Sequence, residues 1–286
     1  MTTSHNYGRG MEKVVIIINA EVSDRGKLIS ASPVTQKMVE ALQHSIAKYS
    51  PDKTIEIVSA AALWTRNSQT IKKGEQYPAA QRDVASRRDD VPLGCAERNL
   101  GEALQGRGLP SLRQSSDTIY CPLTIQLPDY FDFPQRNIYS ACKDINARRR
   151  WVEKHLGFKT SVGDSWLGHL WLPVVLTDRL LFAEVIGEGS MPNSYEHPVM
   201  IPKRQLKSLH GLAEKLLDSL DAPTATYLLQ FSLYNGEIVF DRLWPFPAAP
   251  ALITLKTQHP DLFTCHWHCL NKKPIAKISV SDAMPI

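Results

Sequence analysis

The stretch YLLQFSLYNGEIVFDRLWPFPAAPAL, residues 227–252, decides the fold of this 286-residue chain. Two largely apolar runs flank Asn235–Gly236, and this dipeptide is the strongest short-range signal for a two-residue β-hairpin. The second run ends in Asp241–Arg242, after which three prolines occupy six positions. Because proline fixes φ and cannot donate to a strand ladder, a rigid loop is predicted to begin where the strand ends. Such a loop is typical of segments that hold side chains over a site.

A β–α–β unit is predicted at residues 12–61. The apolar runs VVIIINA (14–20) and TIEIVSAA (54–61) indicate strands. Between them, Ser32 is the expected N-cap of a helix, with Pro33 at its first position. Two strands joined by a helix favour the α/β class and a parallel strand pair.

Further elements are predicted in the second half of the chain. Helical periodicity indicates helices at 143–158, 203–220 and 261–270, and apolar runs indicate strands at 171–176 and 180–188. The segment 187–198 is predicted to be a plain loop, because its glycine spacing fits no phosphate-binding fingerprint. Three adjacent arginines in the first of these helices, RRR, point about 100° apart and therefore predict a solvated helix face.

The predicted domain organisation has three parts. A flexible tail is expected at 1–11, an N-terminal α/β domain at 12–130 and an α+β domain at 131–286. Within the N-terminal domain, residues 65–95 are polar, rich in Lys and Arg and without apolar periodicity. This composition predicts a mobile surface insertion.

Composition narrows the class of protein. The formal net charge is +4 and spread along the chain, whereas nucleic-acid binding needs a concentrated basic face. No apolar run is long enough to cross a bilayer, and the first ten residues lack the pattern of a secretory signal. Five scattered cysteines do not form a disulfide framework. A cytoplasmic protein that binds neither nucleic acid nor membrane is expected.

The order of elements from 137 to 275 resembles the ATP-grasp superfamily, and within it the family of formate-dependent glycinamide ribonucleotide transformylase. The segment KDINARRRWVEKHLGFKTS (143–161) shares the paired Arg, the Glu and the Leu-Gly followed by Thr-Ser of that family's opening helix. Beyond the hairpin, these residues fall in step with the family: Pro245, Pro247, Thr254, Leu255, Gln258, Phe263, His266, Leu270, Pro274 and Ile275. The resemblance implies an N-terminal β-α-β domain followed by a truncated ATP-grasp-like α+β domain, with ATP and Mg²⁺ as the cofactors of an active member.

The chain departs from the family where the chemistry is expected. The resemblance places two Mg²⁺-binding carboxylates on the hairpin strands, but the matching positions here hold Gln230 and Arg242. Mg²⁺ prefers hard oxygen ligands, and a guanidinium repels a cation. Asp241 should face the other side of the strand. The family's strand lysine and glycine-rich loop have no counterpart in WLPVVLTDRLLFAE (171–184), so most of the central lid is expected to be absent.

Three functions follow from these residues. The favoured one is a degenerate ATP-grasp-fold protein that binds a small anionic ligand or a protein partner without ligase chemistry. Its expected cofactor-binding residues are Lys143, Gln230, Asp241, Arg242 and His266, with no metal site. The alternative is an active ATP-dependent carboxylate–amine ligase whose Mg²⁺ ligands have moved to Asp241, Glu237 or Glu184.

The third function is an interaction module that uses the basic 65–95 insertion.

The motif CHWHC (265–269) also raises the question of zinc. On a helix, only Cys265 and Cys269 share a face, so core cysteines are favoured.

Overall fold

The computed structural model describes residues 13–23, 26–64, 118–163 and 168–280. The predicted tail and the predicted 65–95 insertion lie outside the described residues.

The strands are, in chain order, β1 (Lys13–Ile18), β2 (Glu21–Val22), β3 (Leu28–Ser30), β4 (Thr54–Ser59), β5 (Thr118–Pro122), β6 (Lys159–Thr160), β7 (Leu170–Leu176), β8 (Leu180–Phe182), β9 (Val185–Glu188), β10 (Tyr195–Val199), β11 (Ala225–Tyr234), β12 (Glu237–Trp244), β13 (Gln258–His259) and β14 (Ser279–Val280). The helices are α1 (Pro33–Tyr49), α2 (Arg136–Lys143), α3 (Ile145–Leu156), α4 (Lys203–Ser219), α5 (Thr254–Thr257) and α6 (Leu262–Leu270), with a 3-10 helix at Ala249–Ile253.

The N-terminal sheet has the order β4-β1-β5, and all three strands are parallel. The predicted β–α–β unit is therefore confirmed. Helix α1 begins as expected, because the Ser32 hydroxyl accepts a hydrogen bond from the Thr35 amide at 3.1 Å. Its buried face packs on α6, where the hydroxyls of Ser45 and Thr264 lie 3.0 Å apart. This contact joins the two halves of the fold.

The larger sheet has seven strands in the order β10-β9-β7-β11-β12-β6, with β8 paired to β7. Its pairs are antiparallel except β12–β6. The predicted hairpin is confirmed: β11 and β12 are joined at Asn235 and Gly236, whose φ angles are 51° and 77°. Both values suit the turn that matches the twist of the flanking strands. The predicted α/β fold class is confirmed: an N-terminal β-α-β unit is followed by a part that combines a mostly antiparallel sheet with helices.

Some predicted elements differ from the observed ones. The helix predicted at 143–158 is observed as α3, which begins two residues later because the Asp144 carboxylate accepts a hydrogen bond from the Ala147 amide at 2.9 Å and so caps it. The preceding helix α2 was not predicted. The strand predicted at 180–188 is divided into β8 and β9, and the segment predicted to be a loop contributes β10. The domain boundary at residue 130 stays a prediction.

None of the helices in the described ranges combines the length and the apolar character that a bilayer crossing needs.

Candidate functional site

A row of three side chains crosses the middle of the larger sheet. Gln230 on β11 is directly opposite Arg242 on β12 and directly opposite Trp171 on β7. Residues opposite each other across antiparallel strands project from the same face. The pairing of β7, β11 and β12 therefore brings residues distant in sequence to one surface.

A β-bulge at Asp241 interrupts the pairing of the two hairpin strands. The strand register shifts between Gln230 and Phe231, so that Asp241 has no residue of β11 opposite it. Its side chain is fully buried and forms an ion pair with Arg149 of α3. Asp241 also accepts hydrogen bonds from the Gly168 amide at 3.4 Å and from Nε of Arg242 at 3.1 Å. Asp241 thus holds two guanidinium groups and lies outside the cleft surface.

Arg149 corrects the expectation that the three arginines form a solvated face. The middle arginine is 5% exposed, and its Nε and Nη1 donate to the carbonyls of Asp241 and Gly163 at 3.1 and 3.0 Å. The sequence pattern of α3 did not indicate this role, because the carboxylate that neutralises Arg149 lies far away in the chain.

Gln230 has both ends of its amide occupied. Nε2 donates to the Gly168 carbonyl at 2.6 Å, and Oε1 accepts from Nε1 of Trp244 at 2.9 Å. If the amide were flipped, its NH₂ group would face the indole N–H donor and its oxygen would face the Gly168 carbonyl acceptor. The hydrogen bonds therefore fix the observed orientation. The oxygen that could face a metal ion is therefore engaged within the protein.

Lys143 ends α2 near the same surface. Its ammonium donates to the Leu127 carbonyl at 3.1 Å and to the Asp129 carboxylate at 3.0 Å. It also lies 5.5 Å from the centre of the Trp64 ring, within range of a cation–π contact. The charge is thus partly balanced by the exposed Asp129.

These elements enclose a cleft of about 520 Å³. Its lining combines side chains of the larger sheet, of helices α1, α2 and α3, of the segment after β5 and of the proline-rich loop: Met38, Leu123, Thr124, Ile125, Gln126, Lys143, Ile145, Trp171, Tyr195, Gln230, Arg242, Trp244, Phe246, Ala248, Ala249 and Pro250. Among these described residues are two cations and no carboxylate. Burial raises the pKa of Tyr195, so its phenol stays neutral at physiological pH.

Three of the five predicted cofactor-binding residues, Lys143, Gln230 and Arg242, line this cleft. The other two, Asp241 and His266, do not. His266 is 1% exposed and lies in the core, where its Nδ1 accepts from the Thr226 amide at 3.2 Å. Burial lowers the pKa of His266 to about 3, so the ring is neutral. Its geometry fits a structural role.

The donor set does not fit Mg²⁺. Within the described ranges, no group of three or more His, Cys, Asp or Glu side chains could hold a metal ion. Glu237 pairs with Lys159 beside the hairpin turn, and the exposed Glu184 is not among the lining residues. In the CHWHC motif, Cys265 and Cys269 are both buried, and burial raises the pKa of Cys269 to about 12, which disfavours the thiolate that zinc requires.

Sequence reasoning did not identify three residues that shape the cleft. Trp244 and Tyr195 form part of its walls, and Trp171 completes the cross-strand row. Strand alternation from Arg242 could have indicated Trp244, which lies two positions along the same strand. Nothing local in the sequence indicates that β7 lies beside β11.

Comparison with known proteins gives a partial sequence match. No family model matches the chain. The formate-dependent phosphoribosylglycinamide formyltransferase of Prochlorococcus marinus strain MIT 9303 is 29% identical over 106 residues, which make up 36% of this chain and 27% of that protein. The chain therefore covers little more than a quarter of the length of this curated relative.

Solved structures match over more of the chain. Glycinamide-RNase-transformylase T from Mycobacterium tuberculosis has a TM-score of 0.55 and 11% identity, covering 92% of this chain and 80% of that one. N5-carboxyaminoimidazole synthetase from Staphylococcus aureus, solved with ADP, has a TM-score of 0.53 and 9% identity, covering 96% and 82%. These likenesses show the fold, and the resemblance predicted from residues 137–275 is confirmed.

Proposed function

Starting from an ATP-grasp fold that resembles formate-dependent glycinamide ribonucleotide transformylase, we propose that this chain binds a small anionic ligand and performs no ligase chemistry. The observation that carries the proposal is the charge of the cleft. Its described lining contains Arg242 and Lys143 but no carboxylate. A surface of this kind attracts anions and offers charge-assisted hydrogen bonds to their oxygens.

The side chains at the two metal-ligand positions argue against Mg²⁺-ATP. Gln230 uses its oxygen for Trp244, and replacing that bond would leave a partly buried indole N–H unpaired. Arg242 adds a positive charge on the same face. A dication roughly 4 Å from a guanidinium would be repelled by about 8 kcal/mol at an effective dielectric constant of about 20.

An active ligase with relocated metal ligands is the alternative. It would require a carboxylate to enter the cleft from Asp241, Glu237 or Glu184. Asp241 is the most constrained of these, because turning it inward would leave Arg149 buried without a counter-ion. Breaking a buried pair in this way costs about 3–5 kcal/mol. The geometry therefore favours binding over catalysis.

Calorimetry with the intact protein tests the proposal. We expect inorganic phosphate or acetate to bind at millimolar concentrations without Mg²⁺, and Mg²⁺ to leave the affinity for ATP unchanged. The variant Arg242→Gln should weaken anion binding roughly tenfold, as expected for a lost charged hydrogen bond. Arg150→Gln is the matched control, because Arg150 is exposed on α3 and is not part of the cleft lining.

Two results would contradict the proposal. The first is micromolar binding of ATP that disappears when Mg²⁺ is removed. The second is anion binding that the Arg242 and Arg150 variants weaken equally, since this would place the bound anion outside the cleft.

A further inference from the structure

A second cavity, which we call the groove, adjoins the cleft. It has a volume of about 1110 Å³ and is lined by residues within 32–41, 192–195 and 252–256. We infer that the groove and the cleft form one elongated site, and that its ligand is an organic acid with an unbranched aliphatic chain. The inference rests on the proposed function and narrows its ligand class.

The groove continues the cleft along three shared walls. Tyr195 lines both cavities. On α1, Met38 lines the cleft and its neighbour Lys37 lines the groove, and along the 3-10 helix Pro250 lines the cleft and Leu252 lines the groove. These walls pack together, because the 3-10 helix contacts α1, β9 and β10. A ligand long enough to pass Tyr195 therefore enters the groove from the cleft.

The two cavities differ in chemistry. The cleft presents Arg242 and Lys143 together with aromatic rings, whereas Tyr195 is the one aromatic side chain among the described residues that line the groove. The apolar side chains that α1 and the segment 252–256 contribute to the groove are aliphatic: Val34, Ala41, Leu252, Ile253 and Leu255. An anionic head in the cleft and an aliphatic chain in the groove match this change, since burial of apolar surface supplies affinity.

The charged side chains of the groove do not select a second charge on the ligand. Lys37, Glu40 and Lys256 are all exposed, and they carry both signs. Ion pairs at such exposed positions contribute little energy, because water and salt screen them. The lysine stems also add apolar surface while their ammonium groups remain in water. Binding in the groove therefore depends mainly on apolar burial.

The walls of the groove are held by hydrogen bonds within the protein. The Ser194 hydroxyl fixes the turn before β10, because it donates to the Met191 carbonyl at 2.6 Å and accepts from the Met191 amide at 3.0 Å. The Thr254 hydroxyl holds the start of α5 by donating to the Ala251 carbonyl at 2.6 Å and accepting from the Leu262 amide at 3.1 Å. Ordered walls reduce the conformational entropy that is lost on binding.

A series of acids of increasing length tests the inference on the intact protein. Acetate, hexanoate and octanoate are titrated without Mg²⁺, by calorimetry and by tryptophan fluorescence. Each methylene that becomes half-buried should raise the affinity about twofold, so octanoate should bind at least roughly tenfold more tightly than acetate.

Two further ligands are matched to octanoate. The acid 2-propylpentanoate is its isomer and has the same charge, but the branch next to the carboxylate leaves only short chains. It should bind at least about fivefold more weakly than octanoate, because neither chain reaches far into the groove. Octanamide keeps the chain and removes the charge, so it should bind at least about tenfold more weakly than octanoate.

A variant in the groove gives an independent test. Leu255 lines the groove and is 45% exposed, so Leu255→Asp introduces a charge there at a position outside the core. The ratio of octanoate affinity to acetate affinity should fall by at least about threefold. Met200→Asp is the matched control, because Met200 is 85% exposed and lines neither cavity. The control should keep the wild-type ratio.

The outcomes separate the inference from the function on which it rests. Octanoate binding more tightly than acetate, 2-propylpentanoate and octanamide, with the loss confined to the Leu255 variant, supports both. Equal affinities for acetate and octanoate, or for octanoate and its branched isomer, overturn the elongated site while anion binding survives. An equal loss in the Leu255 and Met200 variants also overturns it. If octanamide binds as tightly as octanoate, or if none of the acids binds, both fail.

Discussion

Restoring the acidic residue expected at position 230 should destabilise the protein. In Gln230→Glu, the carboxylate can still accept from Trp244, but it cannot donate to the Gly168 carbonyl, which Gln230 reaches at 2.6 Å. An unsatisfied buried acceptor costs about 1–3 kcal/mol. Burying the new charge adds to this cost, and the directly opposite Arg242 offsets part of it. We expect a net loss of about 2 kcal/mol in the free energy of unfolding at pH 7.

The loss should depend on pH with a definite sign. Burial and the facing carbonyl raise the pKa of the introduced carboxyl above its unfolded value of about 4.3. Its protonated form can donate to Gly168, so the variant should be nearly as stable as the wild type at pH 4. The deficit should then grow as the pH rises towards 7, because the unfolded state loses its proton first.

Urea denaturation at pH 4, 5.5 and 7 measures this effect. Gln205→Glu is the matched control, because Nε2 of Gln205 donates to the Gly236 carbonyl at 3.3 Å in an exposed hydrogen bond. The control should lose less than about 0.5 kcal/mol at any of these pH values. A Gln230→Glu protein as stable as the wild type at pH 7 would refute the conclusion that this position needs a donor.

Three further predictions concern the scaffold, each read from urea denaturation. Gly168→Ala should lower the free energy of unfolding by about 1–3 kcal/mol, because the added Cβ would lie 2.6 Å from a backbone oxygen of β11. In the control Gly211→Ala, in α4, the added Cβ meets nothing within 4 Å, and the protein should gain about 0.5–1 kcal/mol of stability. Equal effects of the two substitutions would contradict this prediction. Asp241→Asn should cost about 3–5 kcal/mol by leaving Arg149 buried without its counter-ion, and a loss below about 1 kcal/mol would show that the pair is unimportant. The pKa of His266 is about 3 in the folded protein and about 6.5 in the unfolded chain, so the free energy of unfolding should fall as the pH drops from 6.5 towards 3. His266→Asn should reduce the slope of this pH dependence by up to about 1.4 kcal/mol per pH unit. An unchanged slope would contradict the conclusion that His266 is buried in its neutral form.

The fold was predictable wherever the signal is local. Asn235–Gly236 predicted the hairpin and Ser32–Pro33 predicted the start of α1, because turn geometry and helix capping depend on a few neighbouring residues. The helix predicted at 143–158 is present as α3, and only its first residue was misplaced, because the side chain of Asp144 caps the helix at Ile145.

The candidate site was predictable only in part. Alternation along β12 correctly separated Asp241 from the face that carries Gln230 and Arg242. The prediction that the arginines of α3 form a solvated face was wrong for Arg149, because its burial depends on Asp241, 92 positions later. The lining role of Trp171 likewise depends on the pairing of β7 with β11, which no local pattern encodes.

The sequence by itself determined the elements and the change of chemistry at positions 230 and 242, because residue type and strand alternation are local properties. The tertiary structure decided the environment of each polar side chain. Asp241 is buried against two arginines, and both ends of the Gln230 amide form hydrogen bonds within the protein. The described lining of the cleft therefore combines cations with aromatic rings. Electrostatic energy and burial depend on distances between groups far apart in the chain, and only the packed fold sets those distances.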